Sequence, residues 1–284
     1  MDKFIKHTLT LRSRQVVIDR PWVMGILNVT PDSFYAGCRS TDAQAIARRV
    51  QQMLAEGADV LDVGACSTRP GSESVSEDEE LARLRMALAA VREEAPQAVV
   101  SVDTFRARVA ERCVQEFGVD IINDVSGGTL DPHMDATVAR LQVPYILMHM
   151  RGTPATMQKL SNYDNGVCAD VEQWLSQRAQ VLRAAGVRDL IIDPGFGFAK
   201  TLEQNYELLA HLDRLHDLHA PLLVGVSRKS MVCKALGCTP ADALNGTTVL
   251  HTVALLQGAH ILRVHDVKAA VEARTIVQRI TQSY

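Results

Sequence analysis

The stretch Val99-Val100-Ser101-Val102-Asp103-Thr104, followed by Arg106 to Phe117 and then by Asp120-Ile121-Ile122-Asn123, decides how the chain is read. An apolar run ends in a carboxylate and a hydroxyl. A helical stretch follows, and a second apolar run ends in an amide. Strands covered by helices on both faces read as near-continuous apolar runs, because neither face meets water. Two such runs joined by a helix predict a parallel strand-helix-strand unit.

The same unit recurs in both directions along the chain. Further strands are predicted at Val23–Asn28, Val60–Gly64, Tyr145–His149, Leu190–Asp193, Leu222–Val226 and Ile261–Val264, eight in all with the two above. Helices are predicted over Asp42–Glu56, Glu80–Glu94, Arg106–Phe117, Asp170–Ala185, Leu202–Leu212, Pro240–Gln257 and Lys268–Gln282. Ser76-Glu77-Asp78-Glu79 resembles a capping box opening the second of these. Even spacing of eight units favours an α/β fold of the closed (β/α)8 TIM barrel type over an open doubly wound sheet. Before Trp22 the pattern differs. His7–Leu11 and Gln15–Ile18 flank the polar turn Arg12–Arg14, which predicts a short β-hairpin plugging the bottom of the barrel. No linker or low-complexity segment interrupts residues 1–284, so one domain is expected.

Composition narrows the function classes. The chain has 284 residues, 47% hydrophobic and 22% charged, enough for a large core in an ordinary globular protein. A net charge of −3 argues against nucleic acid and anionic membrane as partners. The six cysteines form no CxxC pair, which predicts reduced thiols. The first thirty residues contain Asp2, Lys3, Lys6, Arg12 and Arg14 and no long apolar run, so neither a signal peptide nor a membrane span is expected there, and the cytoplasm is the expected location.

In such a barrel the chemistry sits where strands end. Asp103, Asn123 and Asp193 end three strands, and a carboxylate–amide trio suits a heterocycle edge rich in amino and ring N–H groups. Taken singly, each Asp would be an ordinary helix N-cap. The segment Ser67-Thr68-Arg69-Pro70-Gly71 offers hydroxyls and a guanidinium that would fork onto phosphate; the plainer reading is a surface loop. Ser227-Arg228-Lys229-Ser230 places cations and backbone N–H groups at a helix start, which favours anions. Arg263 and His265 are two apart and would face one side, with Arg263 otherwise pairing to Asp266. Asn28 precedes the turn Pro31-Asp32-Ser33 and would contact a ligand or metal, or simply cap its strand. Asp62, inside an apolar run, is assigned to holding loop backbone. His149, beside methionines, reads as a satisfied core residue. Cys66 reads as a small filler. No HExxH, Walker A or GxSxG motif is present.

Five of these segments, in this order, resemble the dihydropteroate synthase family: Asn28-Val-Thr-Pro-Asp-Ser-Phe, Ser67-Thr-Arg-Pro-Gly, Asp193-Pro-Gly-Phe-Gly-Phe, Ser227-Arg-Lys-Ser and Arg263-Val-His-Asp-Val. The resemblance runs from about Trp22 to the C-terminus. It implies a folate-pathway transferase that joins 6-hydroxymethyl-7,8-dihydropterin pyrophosphate to 4-aminobenzoate, releases pyrophosphate and works as a homodimer. It also implies site roles. Asp103, Asn123, Asp193 and Lys229 would hold the pterin. Asn28, Arg69, Arg263 and His265 would hold the pyrophosphate, with Mg2+ at Asn28. Thr68, Pro70, Phe198 and Ser230 would border the aminobenzoate, where sulfonamides would compete. Asp103, Asp193, Lys229 and Arg263 would carry the catalysis. The chain departs from the family pattern at Ala36, where an acidic residue is usual, and at Ala65-Cys66. A pterin-dependent methyltransferase domain and a pterin-binding paralogue of low activity are the alternatives.

Overall fold

The computed structural model describes residues 4–29, 39–66, 75–153 and 156–281. Eight parallel strands form its centre: β3 (Trp22–Asn28), β4 (Val60–Gly64), β5 (Val99–Asp103), β6 (Ile121–Asp124), β7 (Tyr145–Met148), β8 (Leu190–Asp193), β9 (Leu223–Val224) and β10 (Ile261–Val264). Their order is β8-β7-β6-β5-β4-β3-β10-β9. A parallel bridge between Ile192 and Leu222 joins the two ends. The sheet is therefore a closed barrel and not an open one.

Helices α1 (Arg39–Ala55), α2 (Glu77–Glu94), α3 (Ala107–Phe117), α4 (Met134–Leu141), α5 (Val167–Ala184), α6 (Leu202–Ala210), α7 (Ser230–Leu236), α8 (Leu244–Leu256) and α9 (Val267–Thr281) pack outside. Each buries one apolar stripe, such as Ile46, Val50 and Met53 of α1 or Leu84, Leu88 and Val91 of α2. Ser76 caps α2 through its hydroxyl, so the helix begins at Glu77 and not at Glu80. The predicted helix from Pro240 is broken: a 3-10 turn, Pro240–Asp242, precedes α8. The sequence reading missed α4, which has only eight residues and buries just Met134, Thr137 and Val138, too few to show a period.

The hairpin β1 (His7–Leu11) and β2 (Arg14–Ile18) closes the N-terminal end of the barrel. Leu9, Leu11 and Ile18 pack onto Trp22, Met24, Val60, Ile121, Ile146, Ile191, Leu223 and Ile261. At that same pole, Asp59, Asp120 and Asp189 stand one residue before β4, β6 and β8. They accept the backbone N–H groups of Val23, Val100 and Thr10. Arg20 and Arg274 pair with Asp59, and Arg12 and Arg92 pair with Asp120. Carboxylates at this end therefore hold the scaffold, which leaves the opposite end for chemistry.

Candidate active site

Two residues beyond the apolar layer, five of the eight strands change character, while Ile26 and Met148 keep β3 and β7 apolar. The inward positions become Asp62 on β4, Ser101 on β5, Asn123 on β6, Asp193 on β8 and Arg263 on β10. One alternation further on β3 to β5 come Asn28, Gly64 and Asp103. The register sets Asn28, Gly64, Asp103 and Asn123 side by side across four strands. Gly64 matters here. A Cβ on it would lie 3.4 Å from that of Asp103 and 3.5 Å from Asn28 Oδ1, in ordinary contact with both, and would fill the space between them.

Arg263 spans the mouth. Its Nε donates to Asp62 Oδ2 at 2.6 Å and its Nη2 to Asp103 Oδ2 at 2.6 Å. Asn123 Nδ2 donates to Asp62 as well, at 3.2 Å from the nearer oxygen. Asp62 is fully buried, so its charge is held by these two partners and not by water. Burial raises the Asp103 carboxyl to about 7. Arg263 opposes that rise, while the charges of Asp62 and Glu80 add to it. Burial would lower the Arg263 guanidinium, but Asp62 and Asp103 outweigh it and keep the group charged.

The loop after β8 supplies the other half. Asp193 is buried, and its Oδ1 accepts the Gly195 N–H at 2.7 Å. Lys229, at the start of α7, donates to the Phe196 carbonyl at 2.6 Å, with its ammonium 4.9 Å from the centre of the Phe198 ring. Burial raises the Asp193 carboxyl against the pull of Lys229. Burial likewise lowers the Lys229 ammonium to about 8 against the pull of Asp193. The mouth thus offers three carboxylates and one amide to N–H donors, beside two cations, in a setting where each charge is worth more than in water.

The pterin binding enzyme family matches residues 24–265. The dihydropteroate synthase of Escherichia coli K12 is 41% identical over 263 residues, 92% of each chain. The chain belongs to the dihydropteroate synthase family of pterin-binding enzymes. Among solved members, a Yersinia pestis dihydropteroate synthase in a sulfonamide drug complex superposes with a TM-score of 0.88 at 41% identity, covering 98% of this chain and 100% of that one. The Xanthomonas albilineans synthase with 4-aminobenzoic acid gives 0.86 at 40% identity, covering 96% and 98%. The chain spans about half the length of the bifunctional folate synthesis proteins of Arabidopsis thaliana that it also matches, 48% of the mitochondrial one and 55% of the other.

Against that family background, the fold brings Asp103, Asn123, Asp193, Lys229 and Arg263 together. Asn28, exposed, stands at the rim beside them. Phe198 lies over Lys229, and Ser230 is exposed as the first residue of α7. The His265 ring meets the Ser227 hydroxyl at 3.1 Å, and its carbonyl accepts from Arg49. Thr68, Arg69 and Pro70 lie outside the described residues, as does Ala36. Burial raises the half-buried Cys66 thiol, with the Glu80 charge adding to the rise, which suits a filler and not a nucleophile.

Two readings of the sequence need correction. Asp62 does not hold loop backbone. It faces into the barrel and grips Arg263 and Asn123, and the signal was there in a lone charge inside Val60-Leu-Asp-Val-Gly. Arg263 does not pair with Asp266 either. Asp266 is bound by Arg228, whose fork reaches it at 2.7 and 2.9 Å, while Arg263 is drawn into the carboxylate group.

Proposed function

We propose that the chain condenses 6-hydroxymethyl-7,8-dihydropterin pyrophosphate with 4-aminobenzoate, giving 7,8-dihydropteroate and pyrophosphate. The observation that carries this reading is the buried group of Asp62, Asp103, Asn123 and Asp193 held against Arg263 and Lys229. The carboxylates and the amide complement the amino and ring N–H groups of a pterin. The family's solved members, one with a sulfonamide and one with 4-aminobenzoic acid, support the second substrate.

The residues then have separable tasks. Asp193 and Asn123 orient the ring, and Asp62 and Asp103 supply negative charge beside it. As the C–O bond to the pyrophosphate breaks, positive charge spreads from the methylene carbon into the ring, and these carboxylates stabilise it. The two electrons of the bond leave with the pyrophosphate, whose charge His265, Arg69 and a free edge of Arg263 neutralise. The neutral arylamine attacks the methylene carbon with its own lone pair and then loses a proton, so no strong base is needed. Phe198, Thr68, Pro70 and Ser230 border the aminobenzoate, and a sulfonamide would compete there.

Mg2+ belongs to this proposal as the partner of the pyrophosphate. Among the described residues no three His, Cys, Asp or Glu side chains converge as a metal-binding group. Asp62 and Asp103 are already engaged by Arg263. The Asn28 amide oxygen at the rim fits a cation that takes one protein oxygen and completes its shell with phosphate oxygens and water. When bound, the ion would neutralise leaving-group charge.

A homodimer fits the surface. Val249 and Leu256 on α8 and Ile276 and Ile280 on α9 are exposed apolar residues on neighbouring helices. No helix among the described residues is long and apolar enough to cross a membrane, in keeping with a cytoplasmic enzyme. A steady-state assay tests the whole reading: pyrophosphate release should require both the pterin substrate and 4-aminobenzoate. Tight pterin binding without release would favour the low-activity paralogue instead.

A further inference from the structure

Lys200 lies outside every role above, yet it is 5% exposed and lies directly behind the site. Its ammonium has three N–H donors and meets three acceptors: the Gly195 carbonyl at 2.9 Å, the Phe198 carbonyl at 3.0 Å and His149 Nδ1 at 3.1 Å. His149 is fully buried at the end of β7. Accepting from Lys200 at Nδ1 fixes the tautomer, with the proton on Nε2. Among the described residues that Nε2 has no hydrogen-bond partner, and the ring stands edge-on to Trp174 with centroids 5.1 Å apart. A buried donor without an acceptor costs free energy. The polar work of this ring is thus done at Nδ1.

The loop that Lys200 grips is the one that builds the site. The Gly195 N–H goes to Asp193, the Phe196 carbonyl to Lys229, and the Gly195 and Phe198 carbonyls to Lys200. Three side chains, Asp193, Lys229 and Lys200, bond peptide groups of this one short loop, in which Gly195, Gly197 and Ala199 adopt positive φ.

We infer that Lys200, oriented by His149, is a positioning residue that locks the 193–198 loop and thereby sets Asp193 and Phe198 for the pterin and the aminobenzoate. The inference rests on the proposed synthase reading for the identity of those ligands. A pH dependence accompanies it. Burial lowers the Lys200 ammonium to about 7. Asp193 on β8 opposes that shift, and Lys229 before α7 and Arg151 after β7 add to it. Burial, Lys200 and Arg151 keep the His149 ring neutral. Above about pH 7 the amine loses its charge and one donor, so even where His149 shifts its proton to Nδ1 and donates, the charge-assisted bonds to the Gly195 and Phe198 carbonyls weaken and the lock loosens as the pH rises.

The test uses hydrogen–deuterium exchange of the whole chain, reading peptides over residues 193–200 against those of the hairpin, together with KM and kcat. Lys200→Met keeps the stem and removes the donors. His149→Asn keeps an acceptor near the Nδ1 position, and His149→Phe removes it. Loop exchange in Lys200→Met should rise about tenfold relative to the hairpin. KM for 4-aminobenzoate should rise by about the same factor with a smaller change in kcat, since misplacement of a supporting group costs about ten- to a hundredfold. The wild-type loop-to-hairpin ratio should climb through about pH 7, and the variant's should not. His149→Phe should follow Lys200→Met, and His149→Asn should stay near wild type. Unchanged loop protection in both Lys200→Met and His149→Phe would overturn the inference. If Lys200→Met fails to fold, the histidine pair decides: equal loop protection in the two overturns it, and divergence supports it. Loosened loops in variants of a wild-type chain that shows no synthase turnover would sink the synthase reading and leave the lock standing.

Discussion

Replacing Asp62 by Asn tests the account of the barrel mouth most directly. The side chain is fully buried, with Arg263 Nε 2.6 Å from Oδ2 and Asn123 Nδ2 donating to the same oxygen at 3.2 Å. Asn keeps the shape and one acceptor but loses the charge. Removing one partner of a buried pair costs about 3–5 kcal/mol. Here Arg263 retains Asp103, and the repulsion between the two carboxylates is relieved, so a loss of about 1–3 kcal/mol is expected. Urea unfolding at neutral pH would measure it. The pH dependence supplies a second, independent sign. In the wild type the Asp103 carboxyl is raised to about 7, and Asp62 is one cause. A raised carboxyl favours the fold while it is protonated and loses that contribution as the pH climbs through its folded value. Without Asp62 the Asp103 value falls, so the loss on ionisation is smaller. The stability deficit of the variant should therefore narrow between about pH 5.5 and about pH 8. On the catalytic side, a lost hydrogen bond to a charged group is worth about 1.5–3 kcal/mol, about ten- to a hundredfold in kcat/KM for the pterin substrate. A variant as stable as the wild type at both pH values, or a deficit that widens with pH, would refute the reasoning.

Three further outcomes are expected. Gly195→Ala would place a Cβ 2.0 Å from the His149 carbonyl at a φ of +70°, so a loss of more than about 3 kcal/mol and a Tm lower by about 6 °C or more should appear in thermal melts. Because Lys229 is lowered to about 8, kcat/KM should fall as the pH rises through that value, in addition to the fall near pH 7 expected from Lys200, and Lys229→Arg should remove the upper limb and leave the lower one even though its overall rate is lower. Ile276→Glu, at a position that is 61% exposed, should leave the barrel folded and shift the proposed dimer to monomer in analytical ultracentrifugation, and a monomeric wild type would refute the homodimer. An unshifted dimer would place the interface elsewhere.

The strand-helix alternation was legible in the sequence because each strand is apolar on both faces and each ends in polar residues. Every predicted strand appears within two residues at either end. The hairpin was legible through its change of period. The short α4, which buries little, left no pattern to read, and the turn at Pro240 reads in sequence as part of the helix that follows it. Which strand ends carry polar groups was also visible, and five ordered segments pointed to the family before any coordinate did.

The sequence by itself determined the units, their order and the chemical groups available at each strand end. It could not say who pairs with whom. Asp62 and Arg263 are 201 positions apart and meet only because the barrel closes with β10 beside β3. Lys200 looks like an exposed residue before a helix, and only packing buries it against His149. Local propensity fixes elements over a few residues. Pairing of charges across a barrel depends on register and closure, and those belong to the tertiary structure.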